Sequence, residues 1–413
     1  GWSRRANSAT SLCRAPCVSG LSFTLSNDHG YQEPLRYWGT PLINGRIDDR
    51  ARFTNFNVSN SDIRYRDNWT QFKTEWTPGN AFTLRNTAYR LTSKRHWKDV
   101  EEYDYQESGP NAGLVSRFSY LEIFHDQEQI GDRLDATLRH DVRGIENEFL
   151  VGFDVNRIDF AQANNFEADA ESFVDPLDFK PGRFINVAAT PKFTTETSQY
   201  ALFAEDRLAL TKQIALVGGV RLERPTLERT NLQTGESFEK EFRALPWRVG
   251  AVYTPIPDLA FYGQYATGID PLGSLITLSQ ANAPFDLATG RQVEVGVKRS
   301  FWDARGEWTL AAYDIVKEKL LTQDPNNPTR SLQVGQQSSR GVEFSGALQL
   351  TDALRIDGNI AVLHAQFDEF TQDDVSFAGN VPVNVPEQVA NLWLTWAFRP
   401  RWTGRAGVHW VDD

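Results

Sequence analysis

The tract "EADAESFVD" at 167–175 carries Glu167, Asp169, Glu171 and Asp175, carboxylates that could hold a hard cation through oxygen. It has neither the glycine turn nor the terminal glutamate of a calcium-binding EF-hand loop, so a solvated surface loop is the better reading. Cys13 and Cys17 are the two cysteines of the chain, with no histidine pair nearby to complete a zinc site. A small loop disulfide and two free thiols are equally open for them. Lys94, Arg95 and Lys98 form a short basic cluster that could attract an anionic ligand or a lipid phosphate, or simply decorate a surface. The six histidines, His29, His96, His125, His140, His364 and His409, are dispersed. No H-E-x-x-H pair, G-x-S-x-G elbow, phosphate loop or dinucleotide fingerprint is present, which points away from an enzyme.

The elements that must position these groups are strands. Amphipathic helical periodicity is nearly absent, and two-residue alternation recurs throughout. In "GRQVEVGVKRS" at 290–300, Val293, Val295 and Val297 alternate with Gln292, Glu294, Gly296 and Lys298. Phe149, Val151, Phe153 and Val155 alternate with Leu150, Gly152, Asp154 and Asn156 in the same way. The connections alternate too. Short ones at 142–144, 210–213, 254–258, 302–306, 350–353 and 398–402 are interleaved with long polar ones near 161–195, 224–244, 270–289, 322–331 and 368–386. Short turns at one end and long loops at the other predict an antiparallel transmembrane β-barrel. The valines of 293–297 then face lipid, while Glu294 and Lys298 face a wet lumen and pair with neighbouring strands. In the last strand Trp402 and Trp410 share a face with Val408 at a spacing suited to the two membrane interfaces.

Composition agrees. The chain of 413 residues is 40% hydrophobic with a mean hydropathy of −0.47, and no run of about 18 apolar residues exists for a membrane helix. A net charge of −11 supplies no basic stripe for nucleic acid. Methionine is absent from all 413 positions and "GWSRRANSAT" has no apolar h-region, so the sequence reads as part of a longer chain without a signal peptide of its own.

From residue 258 onward the chain resembles the C-terminal part of TonB-dependent ferric-siderophore receptors, notably the ferrichrome-type group. The resemblance is carried by "DLAFYGQYATGIDP", "GRQVEVGVKRSFWDARGEWTLAAYDIVKEKLLTQDP", "VGQQSSRGVEF" and "GNVPVNVPEQVANLW", in the family's order and spacing. Upstream, "SQYALFAEDRLALTKQIALVGGVRLE" and "YQEPLRYWGTPLING" look like the family as well. The resemblance implies an all-β, 22-stranded barrel with a plug in its lumen, energised by the TonB–ExbB–ExbD complex of the inner membrane. It predicts residues 1–18 as an irregular leading segment or strand remnant and 19–413 as a partial barrel of about fifteen strands. The plug, its TonB-contacting segment, roughly four leading strands and about three terminal ones lie outside it. Such a sheet would leave two open edges, so the implied function belongs to the parent protein.

That function is capture and import of a ferric siderophore across the outer membrane of a Gram-negative bacterium. No cofactor is expected, because the iron travels as the chelate. Tyr37, in "YWGTP", and the pair Tyr103 and Tyr105, in "EEYDYQ", match ring positions of the family's external loops. Positions i and i+2 on a strand place both tyrosine rings on one face. Trp38 and Phe166 are looser candidates on the same rims, and the tyrosines could instead belong to the outer aromatic girdle. A ring-lined mouth with few obligatory cations leans towards a hydroxamate chelate. Lipopolysaccharide and outer-membrane lipid are the surrounding partners. Rivals are a receptor for cobalamin or an oligosaccharide, a porin of 16 to 18 strands, and a soluble all-β binding module.

Overall fold

The computed structural model describes residues 3–16, 20–34, 39–270, 276–278, 280, 283–324, 327–372 and 375–412. In chain order the strands are β1 (Ser3–Pro16), β2 (Leu21–Pro34), β3 (Asp62–Gly79), β4 (Phe82–Tyr105), β5 (Val115–Val142), β6 (Ile145–Asn164), β7 (Ser172–Val174), β8 (Thr190–Ala209), β9 (Ile214–Asn231) and β10 (Ser237–Glu241). They continue with β11 (Trp247–Ile256), β12 (Leu259–Ile269), β13 (Thr289–Phe301), β14 (Gly306–Asp324), β15 (Asn327–Thr351), β16 (Leu354–Glu369), β17 (Thr371–Gln372), β18 (Val375–Ser376), β19 (Gln388–Arg399) and β20 (Trp402–Val411).

Sixteen of these twenty form one antiparallel meander in which each long strand pairs with its neighbours in sequence. The other four are loop strands: β7 adds to the top of β5, β10 to the top of β9, and β17 and β18 make a small hairpin. That agrees with the expected partial barrel of about fifteen strands. The leading segment is a full strand, β1, paired along β2. Among the described residues β1 and β20 each pair on one side only. The Cys13–Cys17 question lies outside the described residues.

Turn chemistry explains the short end. Arg143 and Gly144, with φ of 56° and 81°, join β5 to β6 as a two-residue hairpin, whose twist matches the strands only when both residues take positive φ.

The outward face is apolar over a continuous belt. Register aligns Gly263, Val295, Ala312, Val342 and Val362 in one row across β12 to β16, and Phe261, Val297, Leu310, Phe344, Ile360, Ala390 and Trp410 in the next. Val295 is 55% exposed and Val408 66% exposed, which in water would be costly and in lipid is burial. Indoles bound the belt: Trp402 and Trp396 lie near the short turns, while Trp410 and Trp247, stacked on Tyr265 at 5.2 Å, lie towards the loops. Higher on the same face of β4 to β8 the side chains become ion pairs, Arg90–Glu128 at 2.7 Å, Lys94–Asp126 at 2.9 Å and Arg157–Glu196 at 2.6 Å. That change marks where the wall leaves the hydrocarbon.

The inward face is polar and cross-linked by hydrogen bonds and ion pairs. Asn156 donates to Gln199 at 3.1 Å, Gln199 to Glu223 at 2.8 Å, and Arg221 reaches Asp154 at 3.4 Å. In the 290–300 strand, Glu294 accepts from the Tyr262 hydroxyl at 2.6 Å and from Gln264 at 3.3 Å. The Lys298 ammonium sits 5.3 Å from the centre of the same Tyr262 ring. That ring lies over Gly296, where a Cβ would approach it to 2.5 Å, so only glycine fits. No helix long and apolar enough to cross a membrane is found among the described residues.

In the parent receptor, Val295→Lys should cost about 2–4 kcal/mol in a liposome unfolding titration, while Gln292→Lys, three positions away on the wet side of the same strand, should cost under about 1 kcal/mol. Equal penalties at the two positions would show that the faces are assigned wrongly.

Candidate functional site

At 24 and 28 residues, β4 and β5 are more than twice the length that a spanning strand needs, so their upper halves project as a wall above the lipid. On that wall odd-numbered residues of β4 continue the lumen face. Tyr103 and Tyr105 therefore point the same way, and both pack against a cluster built on buried Ala51, Phe56 and Val115, with Ile43, Val174 and Phe179 around it. The Phe56 ring meets Tyr103 at 6.0 Å and Phe179 edge-on at 5.1 Å. The Tyr103 hydroxyl donates to the Val100 carbonyl at 3.1 Å. Burial, and then the Asp99 charge, push its phenol well above the usual range.

Arg117 ties this cluster together. It is 3% exposed, and its guanidinium donates to the carbonyls of Phe56 at 3.1 Å and Pro181 at 2.8 Å and to the Ser172 hydroxyl at 3.0 Å. Among the described residues it has no carboxylate within ion-pair distance, and burial pulls its pKa down. The β2–β3 loop and the β6–β8 loop are thus fastened to β5 through one side chain. A second tether lies beside it: Asn165 and Asn186 both donate to the Tyr120 carbonyl, at 3.0 and 2.9 Å.

Below these loops a band of rings crosses the lumen wall from β3 to β9. Tyr65 meets Trp97 edge-on at 6.1 Å, and the Arg95 guanidinium lies 5.5 Å from the Tyr65 ring centre. His125, paired in register with Arg95, packs on Phe160 at 5.1 Å. Burial, then the Arg95 charge, lower the His125 pKa and favour its neutral form. Phe160 meets Phe193 at 6.0 Å, and Arg229 stacks on Phe193 at 3.5 Å. The β9 end of the band is roofed, because Arg229 also donates to the carbonyls of Thr277 and Leu278 at 2.7 and 2.6 Å. Leu278 joins Leu227, Phe242 and Leu287 in a small core over β9. At the β3–β4 end Arg95 is exposed and Trp69 is 46% exposed. The arrangement can pack a rigid apolar ligand against rings and offer it a cation.

Tyr37 and Trp38 lie outside the described residues. Phe166 is 53% exposed at the start of the β6–β8 loop, away from the ring clusters. The acidic tract is structural: Asp169 accepts from the Ala170 amide at 2.7 Å, Glu171 from Ser116 at 2.6 Å, and Asp175 from the Leu177 amide at 2.7 Å, while Glu167 pairs with Lys192. No group of three metal-ligating side chains occurs among the described residues. The basic cluster is split by strand alternation. Lys94 and Lys98 face outward to Asp126 and Glu122, at 2.9 and 3.5 Å, and Arg95 faces the lumen. Sequence reasoning missed Tyr65, Trp97, His125 and Arg117. Arg95 and Trp97 carry the same i, i+2 signal as the tyrosine pair, whereas the approach of Phe160 and Phe193 depends on cross-strand register.

The TonB dependent receptor-like, beta-barrel family model matches residues 19–413. The chain belongs to that family. This places it among the outer-membrane β-barrels of Gram-negative bacteria, and its relatives are receptors and transporters rather than enzymes. It is 30% identical to the metal-pseudopaline receptor of Pseudomonas aeruginosa over 53% of this chain and 31% of that one. It is 24% identical to the ferrichrome outer membrane transporter/phage receptor of Escherichia coli over 78% of this chain and 40% of the other. The crystal structure of the siderophore receptor PiuA from Acinetobacter baumannii superposes with a TM-score of 0.85 at 19% identity, covering 98% of this chain and 64% of that one. The chain thus spans less than two thirds of the length of these relatives.

Replacing Arg117 by Gln should loosen the loops at a cost on the order of 2–3 kcal/mol. Limited proteolysis of the parent receptor should then cut near 175–185 faster than in the wild type. An unchanged digestion pattern would mean that the loops are held by something else.

Proposed function

We propose that the protein captures a ferric siderophore at its extracellular mouth and imports it with energy delivered through the TonB–ExbB–ExbD complex. The observation that carries this reading is the ring-lined lumen wall above the lipid belt, beneath loops fastened by Arg117. Rings on a rigid wall present apolar area at little entropic cost, which suits a bulky, preformed chelate. The iron is cargo within that chelate. We further propose that additional strands of the parent chain pair with β1 and β20, since hydrocarbon does not tolerate unpaired edges, and that a plug fills the polar lumen. The ion-paired outer wall around Lys94 and Arg90 sits where lipopolysaccharide headgroups would meet it.

Tyr103, Tyr105 and Phe166 stay in this proposal as contacts at the rim, as do Tyr37 and Trp38. For the chelate itself, a neutral hydroxamate fits the aromatic surfaces and the prevalence of paired cations. An anionic chelate is the second reading, favoured by the open guanidinium of Arg95. The names of the relatives, which include ferrichrome and metal-pseudopaline, do not choose between them.

Cells carrying the parent receptor should accumulate radioiron from a ferric siderophore only while TonB is intact, and TonB-independent uptake would reject the energised-import reading. Substituting Tyr103 and Tyr105 together by Ala should weaken ferric-hydroxamate binding by at least about 1 kcal/mol in a fluorescence-quench titration. Unchanged affinity would remove the pair from the site.

A further inference from the structure

We propose that the outer wall of β3 to β10, above the lipid belt, is a docking surface for a second copy of this chain arranged about a two-fold axis. The proposal does not depend on the identity of the cargo. It sets a second barrel against this sector, in place of the lipid headgroups that meet the rest of the wall.

The wall there has a hollow with an apolar floor. Phe124 of β5, Ala163 of β6, Pro191 of β8 and Leu232 line an outward-facing concavity of about 390 Å³. Phe124 and Leu232 are both exposed, at a height where the side chains around them are charged and the hydrocarbon has ended. On the β3–β4 side the rim of this hollow is basic, formed by Arg64, Arg66 and Lys94. On the other side carboxylates follow one another. Register sets Glu128, Asp159, Glu196, Glu228 and Glu239 directly opposite each other across five strands. Like charges so placed destabilise a sheet. Arg90 offsets Glu128 at 2.7 Å, and Arg157 offsets Asp159 and Glu196 at 2.9 and 2.6 Å. Glu228 and Glu239 are exposed and, among the described residues, have no cation within ion-pair distance. Arg66, on the basic rim, is exposed as well. Its guanidinium lies over the Tyr31 ring at 5.7 Å and, among the described residues, meets no carboxylate within ion-pair distance.

A two-fold axis along the membrane normal, passing between β5 and β6, makes this surface complementary to itself. It sets β3 and β4 of one copy before β9 and β8 of the other, twice over. Arg64 and Arg66 then face Glu228, Lys94 faces Glu196, and the two apolar floors close on each other at the centre. Strand tilt brings the two rims towards one height, because rows climb away from the membrane towards β10. The row that starts β4 at Phe82 meets β5 at Leu138, four residues above the end of that strand at Val142. An apolar centre inside a charged rim is the anatomy of a protein interface. A polyanionic glycolipid would suit the basic rim alone and be repelled along the carboxylate row, so a second copy fits this sector better.

The test uses the parent receptor in intact outer membranes. With A163C, close to the axis, a short bis-maleimide should trap dimers. S338C, on the outer wall of β15, should give no more cross-linking than the wild type. Adding R66E or E228R to A163C should lower the cross-linked fraction about tenfold. R66E and E228R together should bring it back to within about threefold of A163C alone, since the reversed charges meet again across the axis. No cross-linking through A163C would overturn the proposal, as would equal cross-linking through A163C and S338C. A charge-reversed pair that stays as weak as its single members would overturn it too. Loss of co-purifying lipopolysaccharide from R66E with cross-linking unchanged would give the basic rim to glycolipid instead. None of these readouts uses a siderophore, so their failure leaves the import reading to its own experiments.

Discussion

In hydrocarbon, every backbone N–H and C=O must find its partner within the protein, and the antiparallel ladder is what meets that requirement here. Each long strand is bonded along its length to its neighbours in sequence, and no side-chain core substitutes for that ladder. Because side chains alternate strictly along a strand, the same ladder sorts residues into an oily outer face and a wet inner one. Val295 and Glu294 are adjacent in the chain and meet different solvents.

Where β4 and β5 outgrow the membrane, the constraint relaxes and water can again drive packing. Small ordinary cores then form, around Phe56 and Val115 on one side and around Leu227 and Phe242 on another. The mouth is a set of miniature globular assemblies, a third built on Val58, Val100 and Tyr120, set on top of a sheet. Their contents fix which rings are covered and which are left for a ligand. Phe193 is covered by the loop that Arg229 holds.

The barrel walls were legible in the sequence because alternation and connection length are local. The pattern of 290–300 placed its valines on one face and Glu294 and Lys298 on the other, and the order of short and long connections gave the meander. Strand β1 was less legible: its mixture of arginines and small polar residues carries no alternation, and pairing with β2 is what makes it a strand. The mouth was readable only in part. Tyr103 and Tyr105 were placed on one face by their spacing, but nothing local shows that Phe56, far away in the chain, would lean on them. The basic cluster misled for the opposite reason, since proximity in sequence places Arg95 and Lys94 on opposite sides of a wall.

Gly296 beneath the Tyr262 ring has a bearing on how the sheet keeps its alignment. A slip of one position would bring a valine under that aromatic plane and swing Glu294 away from the phenol. Steric exclusion and a broken polar contact would thus arise together. Such seats act as detents between hairpins, and the Tyr89 ring over Gly131 makes another of the same kind. Chain alignment in this wall is therefore notched at discrete points as well as zipped along its length, which lets loops at the far rim change size without shearing the staves beneath them.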